Sequence, residues 1–121
     1  MEIRETAASK RIQGIPKSAI HEMTRLSKPV FVPLVEQEGF SLDIEAVEKA
    51  VTPRTRAILF CSPSNPTGTV FSEKQLRELG RIAVERDLMI ITDEAYEYFV
   101  FDDSRHFCVA SIPEVRERVV S

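Results

Sequence analysis

Apolar and polar positions along the chain divide it into short, alternating elements. "PVFVPLV" (29–35) is rich in β-branched and aromatic residues and reads as a strand. Its two prolines assign it to an edge or a strand end. "EQEGF" (36–40) turns the chain. "SLDIEAVEKAVT" (41–52) reads as a short helix, with Ile44, Val47 and Val51 on one face and Ser41 or Asp43 as its cap. Pro53 stands just past its end, a common stop signal. "RAILFC" (56–61) and "LMIIT" (88–92) are apolar throughout rather than alternating. That pattern predicts strands buried on both faces of a parallel sheet. Between them, Ser72 and Gln75 have capping-box spacing, and Leu76, Leu79, Ile82 and Ala83 form the apolar stripe of a helix. "SIPEVRER" (111–118) reads as a further short helix, and "VVS" (119–121) opens a fourth strand. Strand and helix therefore alternate along the chain, the signature of an α/β fold with a parallel sheet. Upstream, "SAIHEMTRL" (18–26) predicts a helix with Ala19, Ile20, Met23 and Leu26 on one face.

Bulk composition narrows the function classes. A chain of 121 residues with 43% hydrophobic and 29% charged residues fits one ordinary globular domain. The net charge of −3 favours neither nucleic acid nor an anionic membrane as partner. Apolar runs stop at about five residues, where a spanning helix needs about 20. The N-terminal "MEIRETAASKRIQG" has no apolar signal core, so a cytoplasmic protein is expected. Two cysteines, Cys61 and Cys108, cannot make a disulfide framework. His106 and Cys108 alternate in "RHFCVAS", but a zinc site needs three or four ligands. They and His21 are expected to be packing or surface residues, and no metal is expected.

In open parallel sheets, ligands bind beyond the carboxyl ends of the strands. Two unusual segments fall there: "SPSNPTG" (62–68) and "TDEAY" (92–96). Asn65, Asp93 and Tyr96 are the candidate residues that they would bring together. Asp93 directly follows a buried apolar strand, and a carboxylate near an apolar interior needs a partner. A cationic ligand would serve; so would capping of the next turn, or pairing with Arg105. Tyr96, three residues on, shares a side with Asp93 if the segment turns helically. Its alternative is an aromatic core contact, which suits Tyr98, Phe99 and Phe101 better. Asn65 lies between two prolines that stiffen its loop. That fits an amide held ready for a ligand, or a turn asparagine bonded to its own backbone.

"SPSNPTGTVFS", a helix, and then "LMIITDEAYEYFVFDD" together resemble the fold-type-I, pyridoxal-phosphate-dependent aminotransferases of classes I and II. Within that family the likeness points to the aspartate and aromatic aminotransferases of archaea and thermophilic bacteria. The resemblance implies a three-layer parallel-sheet part of the family's large domain over 28–121, with 1–27 as the N-terminal segment. It implies that Asn65 and Tyr96 hydrogen-bond the ring oxygen of pyridoxal 5'-phosphate. Asp93 would pair with the protonated ring nitrogen. The expected activity is transfer of an amino group between an amino acid and a 2-oxo acid, in a homodimeric parent enzyme.

The departures from the family pattern shape the same expectation. The Schiff-base lysine of the family follows the strand that begins at "RERVV", beyond Ser121. None of Lys10, Lys17, Lys28, Lys49 and Lys74 matches it. Between Ser27 and Lys28 the family carries a long stretch that helps to hold the cofactor phosphate, and its C-terminal domain supplies an arginine for the substrate carboxylate. The 121 residues alone are therefore expected to be inactive. A carbon–sulfur lyase of the same family, or a non-catalytic α/β fragment or interaction remnant, are the alternative readings.

Overall fold

The computed structural model describes residues 28–121, within which Val32–Ser121 form one compact unit. The helix expected over 18–26, and His21 with it, lie outside the described residues. Helix α1 spans Ile44–Ala50. Asp43, not Ser41, caps it, its Oδ1 accepting the Ala46 N–H at 3.0 Å. Such a cap is worth about 1 kcal/mol. Helix α2 spans Glu73–Glu85 and carries the expected capping box. Ser72 Oγ accepts the Gln75 N–H at 3.3 Å, and Gln75 Oε1 accepts the Ser72 N–H at 2.9 Å. The Gln75 amide nitrogen also donates to Ser41 Oγ and to the Leu42 carbonyl, each at 3.1 Å. One side chain thus caps its own helix and anchors the segment that leads into α1.

Three strands, β1 (Ala57–Cys61), β2 (Met89–Asp93) and β3 (Val119–Val120), form one parallel sheet in the order β1-β2-β3. Register places Ile58 beside Ile90, and Ile90 beside Val119. This face packs on the α2 stripe of Leu76, Leu79, Ile82 and Ala83, and Ile90 is fully buried. Side chains alternate across a strand, so Leu59, Ile91 and Val120, also register partners, share the opposite face. There Leu59 is 56% and Val120 53% exposed, while Ile91 on the central strand is buried. Burial of both faces, expected from the apolar runs, is thus complete on one face and confined to the central strand on the other; among the described residues no second helical layer covers that face.

Two further expectations are corrected. Residues 29–35 form no strand; only Val35 makes an antiparallel bridge, with Ser41. Pro29 and Pro33 have no N–H to donate to a ladder, and Val32 and Leu34 pack against the core without strand pairing. Residues 111–118 form no α-helix either; two 3-10 turns, Val109–Ser111 and Arg116–Arg118, take its place. Pro113 keeps Ile112 extended, at φ −77° and ψ 117°. Val109, Ile112 and Val115 nevertheless reach the core. Gly80 on α2 makes this possible, because a Cβ there would meet Val115 Cγ2 at 2.8 Å.

Candidate functional site

The loop after β1 is braced at both ends. Ser62 continues the ladder by one bond, its N–H donating to the Asp93 carbonyl at 3.1 Å. Its Oγ accepts the Phe71 N–H at 3.0 Å. Inside the loop, Ser64 N–H donates to Thr69 O at 2.9 Å and Gly68 N–H to Ser64 O at 2.8 Å. Gly68 has φ 72°, a left-handed conformation that suits glycine. Thr69 Oγ1 donates to the Gly39 carbonyl at 3.2 Å, tying the loop to the 36–40 turn. Pro63 is buried and Asn65 is exposed at the tip. The Asn65 amide is held from outside the loop: its Nδ2 donates to Tyr96 Oη at 3.3 Å.

Asp93 ends β2, in register with Cys61. It is exposed, not set in the low-dielectric interior that its apolar strand suggested. The reason is the period of the strand and its end: Asp93 shares a face with Met89 and Ile91, and of these only the central Ile91 is buried. One carboxylate oxygen accepts the Ala95 N–H at 3.0 Å, which caps the following turn. The alternative pairing with Arg105 is not formed among the described residues. Tyr96 lies within that turn, 41% exposed, its ring and that of Phe99 forming a T-shaped pair at 6.3 Å between centroids. Tyr98, Phe99 and Phe101 are 88%, 63% and 73% exposed and make no core, contrary to expectation. The connecting segment runs across the surface and returns inward at His106 and Phe107.

Beside the site lies a pair that sequence reasoning missed. His106 Nε2 stands 3.4 Å from Glu94 Oε2, with side chains only 14% and 13% exposed. Glu97 brings a further carboxylate, so one atom from each of the three lies within 4.8 Å of the others. Glu94 and His106 are twelve positions apart in sequence, and the turn-rich segment between them brings them together. Ser62 was also missed: at the head of a proline-rich loop it reads as a turn residue, with no sequence signal of its burial. Burial pushes the Cys61 thiol pKa up; a backbone hydrogen bond at Asn65 opposes this, and the Asp93 charge adds to it. Burial likewise raises that of Cys108.

The ends of two adjacent parallel strands thus present an amide and a phenol in contact and a carboxylate open to solvent. Such a set can clasp an oxygen and pair with a cation on one flat ligand. The family model "aminotransferase class I and II" matches residues 19–120. The chain belongs to that family. It is 47% identical over 94 residues to aromatic-amino-acid aminotransferase 2 of Thermococcus litoralis, an alignment covering 78% of this chain and 24% of that protein. It is 48% identical over 93 residues to a probable N-succinyldiaminopimelate aminotransferase of Mycobacterium tuberculosis, covering 76% of this chain and 23% of the relative. Among solved structures, the aromatic aminotransferase from Pyrococcus horikoshii matches with TM-score 0.73 and 46% identity, over 76% of this chain and 24% of that one. The α/β parallel-sheet reading therefore holds. The chain spans about a quarter of the length of the curated relatives it matches.

Proposed function

We propose that residues 28–121 are part of the cofactor-binding large domain of an aminotransferase that uses pyridoxal 5'-phosphate, and that Asn65, Asp93 and Tyr96 hold its ring. The observation that carries this reading is the 3.3 Å contact of the Asn65 amide with the Tyr96 hydroxyl, made across 31 residues of sequence. The donor set fits the group. Asn65 Nδ2 and Tyr96 Oη are side by side, suited to donating to one ring hydroxyl oxygen. The Asp93 carboxylate, with only one oxygen engaged by Ala95, has an acceptor left for a protonated ring nitrogen. Bound, the pyridinium ring withdraws electrons from the amino-acid Cα and so stabilises the charge left when its proton is removed. Asp93 would keep the ring nitrogen protonated by favouring the cationic ring. Within the compact unit Val32–Ser121 the described lysines are Lys49, exposed on α1 and paired with Glu45, and Lys74, exposed at the start of α2. Neither belongs to this corner, so ring recognition, and not the covalent step, is what these residues supply.

The whole enzyme would exchange an amino group between an amino acid and a 2-oxo acid, in a cytoplasmic homodimer. The direct test uses a probe that needs no lysine. Pyridoxine 5'-phosphate has the ring, hydroxyl and phosphate of the cofactor but no aldehyde. Titration into the chain, followed by its ring absorbance, is expected to show binding that Asn65→Ala and Tyr96→Phe each weaken. Equal affinity for all three proteins would overturn the assignment.

A further inference from the structure

Ser62 occupies the base of the loop that carries Asn65, and its side chain is 1% exposed. Two of its atoms bond in two directions. The hydroxyl accepts the Phe71 N–H at 3.0 Å, so the residue that begins the loop holds the residue that ends it. The backbone N–H donates to the Asp93 carbonyl at 3.1 Å, so the same residue ties the loop to the end of β2. Phe71 is itself fixed: it is 3% exposed, and its ring lies 5.9 Å from that of Phe60 on β1.

Resting on the cofactor reading above, we propose that Ser62 is a positioning residue: it sets the separation of the Asn65 amide from the Asp93 carboxylate, and hence how well the corner grips a flat cationic ring. The loop tip has a stiff interior, but Asn65 itself is exposed, and among the described residues its side chain bonds only Tyr96, which belongs to the other half of the site. The position of the tip relative to Asp93 therefore depends on the base. A hydroxyl removed there leaves a buried Phe71 N–H without acceptor. A buried unpaired donor is costly, and the loop relieves it by opening toward water. Opening at the base moves Asn65 away from Asp93 while leaving the core formed by α2 and the sheet in place.

Amide hydrogen exchange and chemical shifts of the chain, read by NMR, test this together with pyridoxine 5'-phosphate binding. In the unmodified protein the Phe71 N–H is expected to exchange at least tenfold more slowly than the Thr67 N–H; an unprotected Phe71 N–H would overturn the proposal without any variant. In Ser62→Ala the Phe71 N–H should exchange at least tenfold faster, the Asn65 side-chain amide and Ala95 N–H signals should move, and affinity for the probe should fall about tenfold. Ser62→Thr, which keeps the hydroxyl, should restore all three. Val115→Ala, a core change, should lower stability and leave the Asn65 and Ala95 signals where they were. If Ser62→Ala lowers stability but neither signal moves and the probe binds as before, Ser62 is a structural residue only and the proposal fails. If the unmodified protein does not bind the probe, the cofactor reading fails, whereas the exchange and shift data still decide whether Ser62 sets the loop.

Discussion

Replacing Asp93 with asparagine exchanges one oxygen for an NH2 group and removes one charge. The fold should scarcely register it. Asp93 is exposed, and the one hydrogen bond of its side chain among the described residues, from Ala95 N–H at 3.0 Å, can be accepted equally by an asparagine oxygen. Recognition of a cationic ring should register it strongly. With the asparagine oxygen kept on Ala95, its NH2 faces the ring nitrogen and cannot accept, so the substitution forfeits the whole hydrogen bond to a charged group, about 1.5–3 kcal/mol. At about 1.4 kcal/mol per decade this is a loss of roughly 10- to 150-fold in affinity. Solvent exposure and salt draw the value toward the lower half of that range. The neighbouring Glu94→Gln is the control with opposite character. Glu94 is 13% exposed and paired with His106, so its loss should cost about 1 kcal/mol of stability and leave recognition unchanged. The assay is titration of pyridoxine 5'-phosphate at two salt concentrations, beside denaturant unfolding of the three proteins. Equal, small effects of both substitutions on affinity would refute the role given to Asp93.

Other consequences are as direct. Ser72→Ala should destabilise by about 1 kcal/mol through loss of the capping box, and Leu76→Ala, at a side chain 1% exposed, by about 2–5 kcal/mol; urea unfolding measures both. The two thiols have raised pKa values in the folded chain, so above about pH 8.5 the unfolded chain loses their protons first. Their contribution is intact below that pH and is lost as pH rises through the folded values, so Cys61→Ser should flatten the fall of stability on the alkaline side. The open sheet face should drive self-association: Leu59→Thr with Val120→Thr should shift sedimentation velocity toward monomer at little cost in stability, since both residues are more than half exposed.

The elements that were legible in the sequence are those whose signals are local. A capping box is fixed by residues three apart, and the α2 stripe by one helical period; both are found as written. Asn65, Asp93 and Tyr96 stood out for the same reason, as odd residues at strand ends. What escaped was set by distance or by what lies outside a segment. Residues 29–35 have strand composition, yet prolines remove their ladder donors. An apolar strand does not reveal which of its faces has a neighbour, and so Leu59 and Asp93 proved exposed. The aromatic run at 98–101 carries no period that separates core from surface. Glu94 and His106 meet only because the chain doubles back.

The double use of Gln75 bears on how the molecule folds. Its oxygen completes the first turn of α2, while its nitrogen holds Ser41 and Leu42, more than thirty residues earlier. A side chain held from both sides cannot release one without slackening the other. The start of α2 is therefore joined in one cooperative unit to the entrance of α1, and neither is free to fray alone. Amides from 41–43 and 72–76 should open to solvent together, with a common free energy, as a single step short of global unfolding.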